Sequence, residues 1–187
     1  MNPALIAPAY SRIRIFLHWL SVSLMLSLVL AGEARHLLTN LTAIPMRSVM
    51  VVHIGGGMAL LAVTLVRALV RISSRRARSA AFSLQDACAH AVHLAIYVLI
   101  LGECLLGWII VNAKGFAVPM PYTGLEFPLL VSADPALVAP TVRVHDIFGW
   151  MLYGLLALHI GAALWHHFVA RDHTLARMAW RQRPQAL

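Results

Sequence analysis

Four histidines of this 187-residue chain, His18, His53, His145 and His159, lie inside runs of apolar residues. An imidazole in such a run needs a hydrogen-bond partner or a metal, because an ionisable group held away from water is costly and by default marks a function. Spacing narrows the chemistry. His145 and His159 are 14 residues apart. At about 100° and 1.5 Å per residue that is some 40° short of four turns, so both share one helix face about 21 Å apart along the axis.

The elements that must carry these residues are membrane spans. The chain is 60% hydrophobic and 12% charged, with a mean hydropathy of +0.78, outside the range of ordinary soluble domains. Four apolar stretches, roughly 11–34, 48–72, 87–112 and 144–169, approach or exceed the ~20 residues that cross a bilayer core of ~30 Å. The sequence therefore predicts an all-α membrane protein, one domain over 1–187, with four transmembrane helices. Short connections near 35–47 and 75–85 make consecutive spans antiparallel neighbours in an up-down bundle. The run from Ile13 is longer than the 7–15 residues of a signal-peptide core and carries His18, so it reads as the first span.

Charge sets the orientation. Arg12, Arg14, Arg71, Arg75, Arg76, Arg78, Arg171, Arg177, Arg181 and Arg183 fall on one side; Arg35, Arg47, Lys114 and Arg143 face Glu33, Glu126, Asp134 and Asp146 on the other. The positive-inside rule puts the first side, with both termini, in the cytoplasm. The net charge of +8 does not make a nucleic-acid surface, since "RISSRRARSA" interleaves no aromatic or base-reading side chains. Cys88 and Cys104 stand 16 residues apart on one helix, about 24 Å, and cannot form a disulfide.

With that orientation the histidines fall at two depths. His18 and His159 lie toward the cytoplasm, and His53 and His145 near the outer surface, so helix 4 can meet the first helix at one level and the second at the other. This is the geometry of two stacked bis-imidazole sites. No C-x-x-C-H is present, so haem there would be b-type, held by axial ligands and packing. A different metal site, a proton relay or plain packing remain the alternatives, although a relay favours several intramembrane carboxylates and only Glu103 lies near mid-membrane. Gly55, Gly56, Gly57, Gly149, Gly154 and Gly161 would give a macrocycle walls without side chains, or equally serve helix packing. The third connection, "AKGFAVPMPYTGLEFPLLVSADPALVAPT", is about thirty residues with five prolines. Its length and the aromatics Phe116, Tyr122 and Phe127 predict a partly ordered lid.

The segments "YSRIRIFLHWL", "VVHIGGG", "AHAVHLAIYVLI", "MPY" and "VHDIFGWMLYGLLALHIGAALWHHFVARDHTLARM" together resemble the bacterial cytochrome b561 family. Within it they are most similar to the short free-standing members that oxidise superoxide and reduce ubiquinone. The resemblance spans Tyr10 to Met178. It implies a multi-pass protein of the bacterial inner membrane whose bundle encloses two b-type haems, His18 with His159 on the cytoplasmic side and His53 with His145 on the periplasmic side. It also implies ubiquinone beside His166, which continues the face of His159 seven residues further on. Glu103, Cys104 and the loop around Lys114 depart from the family pattern.

His90 and His93 are neighbours on one helix face, and His93 is a candidate contact for a haem propionate or quinone; His36, His167 and His173 read as surface or interfacial. Superoxide can yield an electron without bond chemistry at the protein, so its entry requires attraction and close approach. Arg35, Arg47, Lys114, Arg143 and the Tyr122 hydroxyl are the candidates, acting locally because four positives facing four negatives make no broad field. The expected function is an oxidoreductase that passes electrons from periplasmic superoxide through two haems to ubiquinone. The alternative is a cytochrome b anchor that relays electrons between a partner dehydrogenase or hydrogenase and the quinone pool.

Overall fold

A computed structural model describes residues 11–33, 40–41, 45–73, 84–120, 123–172 and 175–178. Four helices dominate: α1 (Arg12–Glu33), α2 (Met46–Ser73), α3 (Leu84–Ala113) and α4 (Pro135–Phe168), followed by one 3-10 turn at Ala176–Met178. All four are long and apolar enough to cross a membrane. Their outward faces carry large apolar side chains such as Leu26, Leu30, Leu69, Leu94, Trp150 and Trp165. Water would penalise that surface and lipid does not.

The helices alternate in direction. One end of the bundle, here the Arg-rich end, holds the starts of α1 and α3 and the finishes of α2 and α4; Arg14 Nη2 donates to Val70 O at 3.5 Å, and Trp19 Nε1 donates to Met178 O at 3.0 Å. The other, the loop end, carries the long third connection. Packing is closest within the α1/α2 and α3/α4 pairs and less extensive between α2 and α3. Helix α4 meets α1 and α2 chiefly through side chains, as in the hydrogen bond from Tyr153 Oη to Glu33 Oε1 at 3.0 Å. The bundle is thus open at the seam where the histidines face one another.

The core occupies the middle of that bundle. Leu60, Leu99, Ile100, Cys104 and Leu152 are buried together, with Leu24, Met25, Leu28, Leu61, Ile96, Phe148, Leu155 and Leu156 packed around them. Cys104 is one of these packing residues, and both cysteines are free.

One boundary differs markedly from the sequence expectation. Helix α4 begins at Pro135 rather than near 144 and runs 34 residues, about 51 Å, so its first turns rise beyond a ~30 Å hydrocarbon core. Its start is a capped one. The Asp134 side chain accepts from Ala136 N at 2.9 Å and Pro135 takes the first helical position, where a missing N–H costs nothing and the fixed φ favours the helix. Pro140 inside the helix forgoes one backbone bond, and Thr141 Oγ1 donates to Leu137 O at 2.7 Å in the same turn.

The described residues of the connection, 114–120 and 123–134, are tied down by hydrogen bonds. Helix α3 ends with Phe116 N donating to Val111 O and Gly115 N to Asn112 O, Gly115 taking φ +84°. This pair of bonds and the left-handed residue form a Schellman cap. Buried Asn112 then ties the loop's two arms together, its Nδ2 donating to Phe116 O and its Oδ1 accepting from Leu130 N. An antiparallel bridge joins Pro119 and Glu126, and Phe127 packs on Trp108. Tyr122 lies outside the described residues.

Candidate functional site: two histidine levels

Every helix places a residue of interest at two positions 14 apart: His18 and Gly32 on α1, His53 and Arg67 on α2, His93 and Gly107 on α3, His145 and His159 on α4. Because 14 residues nearly complete four turns, each pair shares a face, and antiparallel packing brings the eight positions into two layers. The layer at the loop end holds Gly32, His53, Gly107 and His145. The layer at the Arg-rich end holds His18, Arg67, His93 and His159. The apolar core fills the height between them.

At the loop end the His53 and His145 rings lie 6.5 Å apart, centre to centre, with planes at 88°. At the Arg-rich end His18 and His159 lie 6.4 Å apart with planes at 69°. A metal bound at about 2 Å from one nitrogen of each of two opposed imidazoles separates the ring centres by about 6.3 Å. Both pairs match that spacing. His93 is also beside His159, at 5.2 Å, too close for a ligand on the opposite side of the same metal but suited to contact the group bound there. Two opposed imidazoles at this spacing suit a metal held by two histidines at each level.

The second ring nitrogens are engaged differently at the two levels. His53 Nδ1 lies 3.2 Å from Leu28 O; a carbonyl can only accept, so Nδ1 carries the proton and Nε2 is left for a metal. His145 Nδ1 contacts a carboxylate oxygen of Glu103 on α3, again leaving Nε2. His18 Nδ1 instead faces Arg67 Nη2 at 3.3 Å; a guanidinium can only donate, so a His18 that binds metal through Nε2 carries its proton on Nδ1 and has Arg67 beside it as a neighbouring cation, not as a hydrogen-bond partner. The Arg67 guanidinium lies over the Tyr97 ring at 5.4 Å, and no carboxylate among the described residues pairs with it. Charged groups within a span are costly and by default mark a function, and these two stand beside the histidine pairs.

Open space adjoins several glycines of the helices that carry the pairs. A Cβ added at Gly55, Gly57, Gly154 or Gly161 would meet no protein atom within 4 Å, whereas one at Gly32 would stand 3.3 Å from His53 Cε1 and one at Gly107 3.8 Å from His145 Cε1. Gly56 and Gly149 are packing positions, against Leu28 and Glu103. Glycine therefore clears the ring at Gly32, whereas at Gly107 a Cβ would make only ordinary contact with His145; the local sequence motifs leave both positions unmarked, and the recurring 14-residue interval is the signal that reveals them.

Beyond the Arg-end level, His166 is fixed from both sides. Its Nδ1 meets Asp172 Oδ2 at 2.6 Å, and its Nε2 is 3.1 Å from Gln85 Nε2 of α3. His90 Nδ1 bonds Asp86 O at 2.7 Å, and His167 stacks on Phe168 at the surface. At the loop end Arg47, Lys114 and Arg143 are all exposed. Arg35, His36, Arg75, Arg76, Arg78, His173, Arg181 and Arg183 lie outside the described residues.

Residues 9–181 match the family described as prokaryotic cytochrome b561. The chain is 25% identical over 178 residues to "Cytochrome b561 homolog 1" of Escherichia coli (strain K12), covering 93% of this chain and 98% of that protein. It is 27% identical over 176 residues to "Probable superoxide oxidase CybB" of Yersinia pestis, covering 93% and 97%. A second Escherichia coli relative, "Cytochrome b561 homolog 2", is 30% identical over 90 residues, 48% of this chain and 47% of its own.

Proposed function

The chain belongs to the prokaryotic cytochrome b561 family, membrane electron-transfer proteins that bind b-type haem, and from that premise we propose that it is a single-domain, di-haem superoxide:ubiquinone oxidoreductase of the bacterial inner membrane. The observation that carries the reading is the pair of imidazole couples, 6.4 and 6.5 Å apart, at two levels of one bundle. His18 and His159 hold one haem and His53 and His145 the other. Bound haem supplies one-electron transfer at each level; the rest is done by the chain.

The Arg-rich end faces the cytoplasm, in keeping with the arginine distribution, and the loop end faces the periplasm. Superoxide is drawn to the loop end by Arg35, Arg47, Lys114 and Arg143, with the Tyr122 hydroxyl a further contact, and leaves as dioxygen. The name carried by the Yersinia pestis relative supports this donor. Ubiquinone is reduced at the Arg-rich end, where His93 lies beside His159 and His166 is poised between Gln85 and Asp172. Two superoxides supply two electrons, and two protons complete the quinol. His166 sits where it can hand on a proton that Asp172, outside the span, replenishes from water.

Stopped-flow mixing tests the reading. Superoxide should reduce the oxidised di-haem protein rapidly and added ubiquinone should reoxidise it; His166→Ala should slow only the second step. Reduction by ubiquinol but none by superoxide would leave the partner-dependent anchor as the better account.

A further inference from the structure

We propose that Glu103 and Arg67 are opposed fixed charges, one at each histidine level, that place the loop-end haem at the lower potential and so drive electrons toward the Arg-rich end. The inference rests on the di-haem reading above and adds what would drive the flow stated there, since the histidine pairs alone do not rank the two haems. Each pair has nearly the same ring separation, so ligand identity and spacing do not rank the two haems. Their neighbours do.

At the loop end the Glu103 carboxylate touches His145 Nδ1. The contact is a charge pair rather than a formed hydrogen bond; a carboxylate there can only accept, which favours the proton on Nδ1 and makes the ring a stronger electron donor through Nε2. The opposite ligand, His53, gives its Nδ1 proton to the neutral Leu28 carbonyl. A carboxylate in place of a carbonyl adds a negative charge next to the metal and favours its oxidised form. Its other oxygen, Oε1, is buried without a hydrogen-bond partner, so little else attenuates that charge. Glu103 is a positioning residue: it acts through His145.

At the Arg-rich end the sign reverses. Arg67 Nη2 lies 3.3 Å from His18 Nδ1, half-buried and not paired with a carboxylate among the described residues. A guanidinium there is always protonated, and a fixed cation beside the ligand favours the reduced form. Arg67 stands 14 residues from His53 on the same face of α2, so one helix supplies a ligand at one level and the cation at the other. A low-dielectric surround makes both charges count for more than they would in water.

Redox titration of the purified holoprotein, followed optically, tests this. His145→Ala, which removes one of the two transitions, identifies the loop-end haem. In the wild type that haem should titrate at the lower potential. Glu103→Gln should raise its reduction equilibrium constant at least tenfold, about 59 mV for one electron, and leave the other haem unmoved; Arg67→Gln should lower the Arg-end haem alone, with Arg67→Lys restoring it. A loop-end haem that titrates above its partner, or a Gln variant that leaves its own haem unshifted, overturns the inference. Should a Gln variant fail to accumulate, the wild-type order decides. If the wild-type protein does not hold two haems, it is the di-haem reading that fails.

Discussion

Gly32→Ala separates the histidine site from the bundle that holds it. A Cβ at Gly32 would stand 3.3 Å from His53 Cε1 and 3.6 Å from its Nδ1. Carbon atoms are comfortable at about 3.5–4.0 Å, so the ring must retreat by a few tenths of an ångström. It has little slack. His53 Nδ1 is already 3.2 Å from Leu28 O, at the long edge of N–H···O bonds, about 2.7–3.2 Å. The same displacement breaks that bond, at a net cost of about 1 kcal/mol, too small to unfold a domain stable by roughly 5–15 kcal/mol. The expected outcome is a thermal midpoint within a few degrees of wild type, an altered spectrum and potential for the loop-end haem, and an unaltered Arg-end haem. Gly56→Ala is the control, because its Cβ meets the flexible end of Leu28 at 3.0 Å and not a ring. A Gly32→Ala protein with both haems unperturbed, or with both lost, would refute the placement of His53 as a loop-end ligand.

Other consequences are direct. The protein should hold two low-spin b haems, with His18→Ala and His159→Ala disturbing one and His53→Ala and His145→Ala the other; pyridine haemochrome content and low-temperature spectra check this, and one shared haem lost from His18→Ala and His53→Ala would contradict the two-level geometry. Reduction by superoxide should slow as ionic strength rises, because the Debye length falls from about 10 Å at 0.1 M to about 3 Å at 1 M. Neutralising Arg47, Lys114 or Arg143 should flatten that dependence, and a salt-independent rate would argue against attraction by these residues.

The period of the helix explains what the sequence made legible. Apolar length located four spans, and a 14-residue interval on α4 was enough to foresee two levels, because a helical interval converts directly into height and angle. Side-by-side contacts are a different kind of information. That Glu103 belongs with His145 depends on how α3 is rotated against α4, which no local pattern encodes, so Glu103 stood out only as an intramembrane carboxylate. Arg67 went unmarked because the basic residues were sorted by side, and it lies inside an apolar run, four residues before Arg71. The start of α4 was misplaced for a local reason: Pro135 and Pro140 read as breakers, whereas Asp134 followed by Pro135 is a helix start. The loop's folding depends on Asn112, whose two side-chain bonds reach four residues and 18 residues along the chain, a bridging role its residue type does not announce.

The apolar layer between the two levels makes the last prediction one of charge movement. Leu60, Leu99, Ile100, Leu152 and their neighbours fill it; of the described hydroxyls there, Thr64 Oγ1 has no hydrogen-bond partner, and Ser21, Ser23 and Ser27 each donate to the carbonyl four residues back in their own helix. Hydroxyls isolated among leucines or tied to their own helix make no chain of donors and acceptors, so electrons can cross this layer while protons cannot. Protons for the quinol must then enter from the Arg-rich side, by way of His166 and Asp172, although the electrons arrive from the loop side. Each turnover therefore carries two negative charges across the layer without compensating protons. In vesicles with the loop end outward and ubiquinone in the bilayer, superoxide added outside should make the interior negative and alkaline. Opposing this, a potential of 100 mV costs about 2.3 kcal/mol for each charge that crosses the whole membrane, so turnover should slow as the potential builds and recover when an ionophore collapses it. Steady turnover with alkalinisation outside and no potential would show that protons reach the quinone from the loop side, and the core would not be the barrier described here.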